Sequence, residues 1–338
     1  MRAFVITRPG HGEVQDVPDV EAGVGQVVVD VERVGVCGTD TEFFSGEMAY
    51  LGSAHARYPL RMGHEWCGRV SAVGKNVDSG WLGRRVTGDT MLGCGTCRRC
   101  RTGRQHLCAD RFEIGIRNGW PGALAEKLPV PASALVPLPD SVDEVLGALV
   151  EPGGNALRTV RGANPRAGQR MLVLGAGTIG LLVAQIARAS GVEVHLLERG
   201  ARASAFAGSL GFEHVWASDT LDRTVPFDSV VDASNGAGMP ALAVELVEPG
   251  GRVVLIGLSG EPSLLDTRTL ALKDVTAVGV LSASGGLEGT VELYASGRVD
   301  PRCLVAATVG LEQVAEVLAG GRPSGAGPGP KIHVDPRL

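Results

Sequence analysis

The sequence predicts an α/β fold class: an irregular β-rich domain, then a doubly wound parallel-sheet domain. Three observations carry this. Up to about residue 150, short β-type runs are separated by Gly and Pro. From Gln169 onward, apolar strand-like runs alternate with helix-like segments. The length of 338 residues suits about two domains at roughly 150 residues each.

In the first region, Met1–Gly10 (MRAFVITRPG) reads as an opening strand and lacks the basic start, long apolar core and small-residue site of a secretion signal. Gln26–Val34, Glu65–Val73 and Arg84–Thr87 follow, with the alternation expected of half-buried, mostly antiparallel strands. In the second region RMLVLGA, VEVHLLE, DSVVDAS, RVVLIG and VTAVGVL read as strands. Ile179–Ser190, Arg202–Leu210 and Gly238–Val247 read as the helices between them. Such alternation implies right-handed crossovers and a parallel sheet covered on both faces. From Ser296 come Val299–Val309, a helical stretch Leu311–Ala319 and a last strand Lys331–Val334, with Gly320–Pro330 as an exposed loop.

Composition narrows the function classes. Net charge is −5 and no basic run resembles a nucleic-acid footprint, so nucleic acid is disfavoured as a partner. Met171–Ala187 is uncharged but short for a membrane span, which needs about 20 residues. The chain is expected to be a cytoplasmic protein without a membrane segment. A reducing compartment keeps thiols free, so the seven cysteines call for metal or chemistry before disulfides.

Cys94, Cys97, Cys100 and Cys108 lie in GCGTCRRCRTGRQHLC. Two C-x-x-C turns and a Gly-containing return can place four sulfurs around one tetrahedral zinc. The intervening Arg98, Arg99, Arg101 and Arg104 favour thiolate over thiol. A ferredoxin-type cluster differs in the last interval and carries Pro after its fourth cysteine, where Ala109 stands here. Four sulfurs close the coordination, so this zinc is expected to hold a loop and do no chemistry.

Gly175-x-Gly177-x-x-Gly180 follows an apolar strand and opens a helix, the setting in which this motif is specific for a dinucleotide. Gly175 allows a tight turn, Gly177 lets the backbone approach a pyrophosphate, and Gly180 allows close packing. Thr178 and Ile179 begin the helix whose free N–H groups and dipole favour phosphate. Glu198 ends the next strand, where a carboxylate accepts from ribose hydroxyls and repels a 2′-phosphate, favouring NAD. Arg199 and Arg202 pull the other way, toward NADP.

Three further stretches carry ligand-type residues: Gly35-Val36-Cys37-Gly38-Thr39-Asp40, Gly63-His64-Glu65 and Val150-Glu151-Pro152. Each alone is weak. In this order, with the cysteine run between the second and third, the whole chain resembles the zinc-containing medium-chain dehydrogenases (the alcohol dehydrogenase family). It is most similar to the polyol, sugar and threonine dehydrogenase branch. The resemblance implies a GroES-like catalytic β domain (1–152), a Rossmann cofactor domain (153–295) and a C-terminal return to the first (296–338). It implies that Cys37 and His64 bind a catalytic zinc, that Glu65 binds it or stands just behind, and that Glu151 is a further ligand, direct or through water. Mixed ligation leaves a position for a substrate oxygen, where the ion serves as a Lewis acid. Thr39 matches the hydroxyl that begins the family's proton relay. Glu42 stands where the next member is often His. Asn155 matches a position near the nicotinamide, and Gly257 ends a later strand bordering the cofactor.

The expected function is hydride transfer between a nicotinamide cofactor and a secondary alcohol or ketone, within a polyol, sugar or aminocyclitol-like molecule. The expected cofactors are two Zn²⁺ per chain and NAD, and the expected assembly is a homodimer or homotetramer. Two alternatives stand beside this: a zinc-free quinone or enoyl reductase of the same fold, and a nucleotide-binding protein without catalysis that keeps only the structural zinc. Phe43, Phe44, Met48, His55, Arg57 and Trp120 are candidates for the substrate pocket.

Overall fold

The structure, a computed structural model, describes residues 1–338. It separates into two units, one formed by Met1–Glu151 with Ser282–Leu338 and the other by Pro152–Leu281. The return to the first unit therefore begins near Ser282, earlier than the 296 expected from sequence. The helix Leu287–Ala295 belongs to the first unit. Its buried Tyr294 hydroxyl donates to the carbonyl of Leu149 at 3.2 Å. A helix after a strand is what a crossover unit also presents, so the local pattern favoured the wrong unit.

The first unit is built on a seven-stranded sheet. Its order is Val305–Val309, Lys331–Val334, Gln26–Gly35, Glu65–Val73, Arg85–Gly88 and Leu135–Pro137, with Lys127–Pro131 also paired to Gln26–Gly35. Except for Val305–Val309 against Lys331–Val334, the pairs are antiparallel. Arg2–Arg8 and His11–Asp16 form a separate hairpin. The alternating valines of Gln26–Gly35 enter a core with Phe4, Phe43, Trp66, Leu124 and Leu128. Of the stretch Val299–Val309, only Val305–Val309 is strand; Arg302–Leu304 is a 3₁₀ turn.

The second unit holds a six-stranded, all-parallel sheet in the order His214–Trp216, Glu193–Leu197, Arg170–Leu174, Phe227–Asp232, Val247–Leu255, Thr276–Gly279. Strand order reverses at Arg170–Leu174, which puts a crevice at the carboxyl ends of this strand and Phe227–Asp232. The uncharged run 171–187 resolves into the strand Arg170–Leu174 and the helix Thr178–Ala189. No helix is long and apolar enough to cross a membrane. Three elements escaped the sequence reading, one of them the short helix Thr267–Leu272. His214–Trp216 is only three residues long. The helix Val150–Ala163 hides behind Pro152, Gly153 and Gly154, although proline is tolerated in a first turn, where its missing N–H has no helical partner.

Candidate active site

The strand Gln26–Gly35 delivers the chain to Cys37, which caps the helix Gly38–Ser45. Asp40, in the first turn of that helix, reaches back and accepts the Cys37 backbone N–H through Oδ2 at 2.8 Å. This reciprocal cap fixes the direction in which the Cys37 sulfur leaves the helix. On the neighbouring strand, Glu65 is paired in register with Gly35, and His64 immediately precedes it. The ligand atoms of Cys37, His64 and Glu65 lie within 4.8 Å of one another.

The surroundings of this trio are strongly negative. Asp40 is fully buried, and its Oδ1 faces His64 Nδ1 at 3.6 Å with neither atom hydrogen-bonded. Burial disfavours the His64 imidazolium, but Asp40 and the Cys37 sulfur outweigh it and hold the ring's pKa well above its ordinary value. A field that draws a proton onto a buried imidazole also favours a divalent cation. Two orphaned buried polar atoms and a thiol, imidazole and carboxylate donor set therefore fit a zinc ion.

Glu65 has a partner that the sequence reading missed. Lys331, from the last strand, donates through Nζ to Glu65 Oε1 at 2.8 Å and Oε2 at 2.7 Å, and to the Val36 carbonyl at 2.9 Å. Both side chains are about 97–98% buried, being 3% and 2% exposed. Burial opposes the Lys331 charge, but Glu65, Cys37 and Asp40 outweigh it and raise its pKa. Gly35 is required here because a Cβ would strike the Glu65 carboxylate.

The structure does not add Glu151 to the group within 4.8 Å. Glu151 is buried in the first turn of the helix Val150–Ala163. Thr39 and Glu42 share a face of the helix Gly38–Ser45, three residues apart. Glu42 is exposed at the surface, yet partial burial and then the like charge of Glu47 raise its pKa. Phe43 and Phe44 are packed in the first unit's core, with Met48 and Trp120 partly buried against it.

The four cysteines of the 94–108 lobe also converge within 4.8 Å. Sulfur separations are 3.5 Å for Cys97–Cys100, 3.9 Å for Cys97–Cys108 and 4.0 Å for Cys94–Cys100. Zn–S bonds of about 2.3 Å give a tetrahedron with edges of about 3.8 Å, whereas a disulfide needs about 2.05 Å. All seven cysteines are free. Hydrogen bonds from Thr96 and from the Cys97 and Thr96 backbones lower the Cys94 thiol to about 6, while burial pushes Cys100 up to about 12. The set matches one closed zinc site.

In the second unit, Gly175 has φ +98°, which only glycine adopts without strain, and stands in the crevice between Leu174 and Ala233. Nothing would meet a Cβ at Gly177, so the approach to the backbone is open; a Cβ at Gly180 would hit the Gly175 carbonyl. Thr178 and Ile179 occupy the first turn of the helix. Glu198 accepts from Ala176 N at 2.8 Å through Oε2 and from Gly200 N at 2.8 Å through Oε1. It thus braces the glycine turn, and each oxygen keeps a lone pair for a ribose hydroxyl. Arg199 and Arg202 are exposed beside it. Asn155 is half-buried on the helix Val150–Ala163, and its carbonyl accepts from Thr159 at 2.9 Å. Gly257 is pressed against the Ser234 backbone.

Comparison with known proteins bears on both units. Residues 23–140 match the alcohol dehydrogenase GroES-like domain, and residues 178–296 match the zinc-binding dehydrogenase domain. The L-threonine 3-dehydrogenase of Saccharopolyspora erythraea is 34% identical over 293 residues, 83% of each chain. The chain belongs to the zinc-containing medium-chain dehydrogenases. Among solved structures, a zinc-binding dehydrogenase from Sinorhizobium meliloti bound to NADP superposes with a TM-score of 0.89 at 28% identity, covering 99% of each chain. Galactitol-1-phosphate dehydrogenase from Escherichia coli gives 0.86 at 25% identity, covering 99% of this chain and 100% of the other. As a member of this family, the protein is a zinc-dependent, NAD(P)-dependent alcohol dehydrogenase with a GroES-like domain and a Rossmann domain. The zinc-free reductase and the non-catalytic nucleotide binder are thereby set aside.

Proposed function

We propose that the enzyme interconverts a secondary alcohol and its ketone within a polyol, sugar or aminocyclitol-like substrate, with NAD as the preferred cofactor. The observation that carries the proposal is the convergence of Cys37, His64 and Glu65 under the field of Asp40. In this reading Cys37 and His64 bind the catalytic zinc. Glu65 is held by Lys331 at its edge, and Glu151 contributes as a further ligand, directly or through water. A zinc bound there supplies a Lewis acid for the substrate oxygen. Thr39 accepts the alcohol proton and passes it toward Glu42, whose raised pKa suits a group that exchanges protons with water.

The NAD preference rests on Glu198, whose carboxylate is fixed by two backbone N–H groups and cannot swing away from a 2′-phosphate. Gly175, Gly177, Thr178, Ile179 and Gly180 receive the pyrophosphate, with Asn155 and Gly257 toward the nicotinamide end. A homodimer or homotetramer is favoured by Leu264 and Leu272, which are 90% and 82% exposed, and by the unpaired outer edge of the strand Thr276–Gly279. An unpaired sheet edge is a ready template for pairing with a second chain. A cytoplasmic location fits seven free thiols, four of them grouped for zinc.

The test is a screen of NAD and NADP reduction over polyols, sugars, amino alcohols and simple secondary alcohols. We expect turnover of at least one polyhydroxylated or amino alcohol and a higher kcat/KM with NAD. A clear NADP preference would defeat the role given to Glu198. Turnover of simple alcohols alone would defeat the substrate class.

A further inference from the structure

The parallel sheet of the second unit carries a cleft at the end away from the glycine turn. Gly175 follows the carboxyl end of the strand Arg170–Leu174. The cleft instead opens at the amino ends of Phe227–Asp232 and Val247–Leu255, beside the segment 163–169. Its volume is about 360 Å³, within the range of small-ligand sites. Asn164, Arg166, Asp228, Ser229, Glu248 and Arg252 contribute polar groups to its lining. None of them belongs to the zinc or cofactor sites described above.

Ser229 and Arg252 set the chemistry of the floor. Ser229 is 2% exposed, and its hydroxyl is buried with no hydrogen-bond partner. A hydroxyl stranded in this way costs stability unless something from outside the chain completes it. Arg252 is its in-register neighbour on the next strand, so both side chains leave the same face of the sheet. Arg252 is half-buried, and its Nε donates to the Gly162 carbonyl at 2.8 Å. That bond fixes the plane of the fork and leaves both Nη groups without a partner in the protein. The carboxylates of the cleft do not neutralise this floor. Asp228 is committed elsewhere: its oxygens accept from Gln169 Nε2 at 2.9 Å and from the Arg170 N–H at 2.8 Å. Gln169 in turn accepts from the Arg166 N–H at 2.8 Å, which pins the segment carrying Arg166. Glu248 is exposed at the rim, where exposed Arg166, with no ion pair of its own, cancels its charge. The inner end is therefore rich in free donors and poor in free acceptors.

The geometry points to an oxyanion site: the cleft takes a phosphate or carboxylate group, held by the Arg252 fork and by the Ser229 hydroxyl as donor, with Arg166 closing from the rim. The site lies at the opposite strand ends from the pyrophosphate turn, so the anion and the dinucleotide are bound together and do not compete. It goes beyond the dehydrogenase reading and does not depend on it, because no residue of the cleft is assigned to zinc, cofactor or alcohol.

The experiment uses the zinc-loaded, full-length enzyme with saturating NADH, so that phosphate cannot occupy the pyrophosphate turn. Tm is followed against rising inorganic phosphate and, in a second arm, against acetate, both at constant ionic strength. The native enzyme is expected to show a saturable rise, and the two arms distinguish phosphate from carboxylate. Arg8→Met, an exposed control in the other unit, should respond as the native enzyme does. The midpoint should rise about 10- to 100-fold in Arg252→Met and about 10-fold in Ser229→Ala. Arg252→Met also loses the Gly162 bond and lowers Tm on its own account, so Ser229→Ala decides. Removing an unsatisfied hydroxyl should leave the anion-free Tm unchanged or higher, and only the anion response should fall. No saturable response to either anion, or an equal midpoint in native, Ser229→Ala and Arg252→Met, overturns the proposal. A lower anion-free Tm in Ser229→Ala counts against it too, since the hydroxyl would then already have a partner.

Discussion

Glu65 and Lys331, 266 residues apart in sequence, share a buried pair in which one ammonium donates to both carboxylate oxygens at 2.7 and 2.8 Å. Removing one partner leaves the other charged and dry. Lys331→Met is expected to destabilise the first unit by about 3–5 kcal/mol, read as a lower urea midpoint. Lys331→Met combined with Glu65→Gln should recover part of the loss. If the double variant is no more stable than the single one, the pair is not the source of the effect.

The cysteine lobe predicts a metal count. Native enzyme should carry two zinc ions per chain and Cys108→Ser one, by atomic emission. Cys108 is buried whereas Cys94 is exposed, so its loss should also open the 94–108 segment to proteases. An unchanged zinc content in Cys108→Ser would contradict four-sulfur coordination.

Glu42 predicts an acid limb. A proton acceptor works only when ionised, so kcat should fall as pH drops through the raised pKa of Glu42. Glu42→Gln should remove that limb or move it. An identical pH–rate profile in the variant would take Glu42 out of the relay and leave Thr39 delivering directly to water.

His195 predicts a second, purely structural pH dependence. Its Nδ1 accepts from the Trp216 indole at 3.1 Å and its Nε2 faces Glu193 Oε1 at 2.9 Å. An indole N–H can only donate, so the ring is neutral with its proton on Nε2. Burial lowers its pKa from the usual 6.5; stacked His214 and Arg170 push the same way and Glu193 the other. The unfolded chain then binds this proton more readily than the folded one, so stability present above pH 6.5 is lost as pH falls toward the lowered value. Urea midpoints measured at neutral and mildly acidic pH should converge in His195→Leu relative to the native chain. An equal acid loss in both would assign the effect elsewhere. The same tautomer argues against reading the convergence of Glu193, His195 and His214 as a third metal site, because the nitrogen facing Glu193 already carries hydrogen.

Much of this molecule was legible where chemistry is local. The cysteine spacing and the glycine turn specify geometry within a few residues, and the five longer strands of the parallel sheet announce themselves by apolar runs. Asp40 was legible in principle, as an acidic residue at the third position of a helix capped by Cys37. Lys331 was not: a single lysine before Ile332-His333-Val334 resembles any edge-strand lysine until the sheet order places it beside Glu65. Ser229 was hidden for the same reason, since whether a buried hydroxyl finds a partner is a property of packing. The strand His214–Trp216 was too short to show a period.

The division of the first unit between both ends of the chain has a consequence for biosynthesis. Residues 152–281 are contiguous and can fold as they leave the ribosome. Cys37 and His64 are made early, but the lysine that steadies Glu65 and two strands of their sheet are made last. The nascent first unit therefore waits with exposed thiols and an open sheet edge, and a prematurely ended chain would carry metal-seeking side chains without the frame that aligns them.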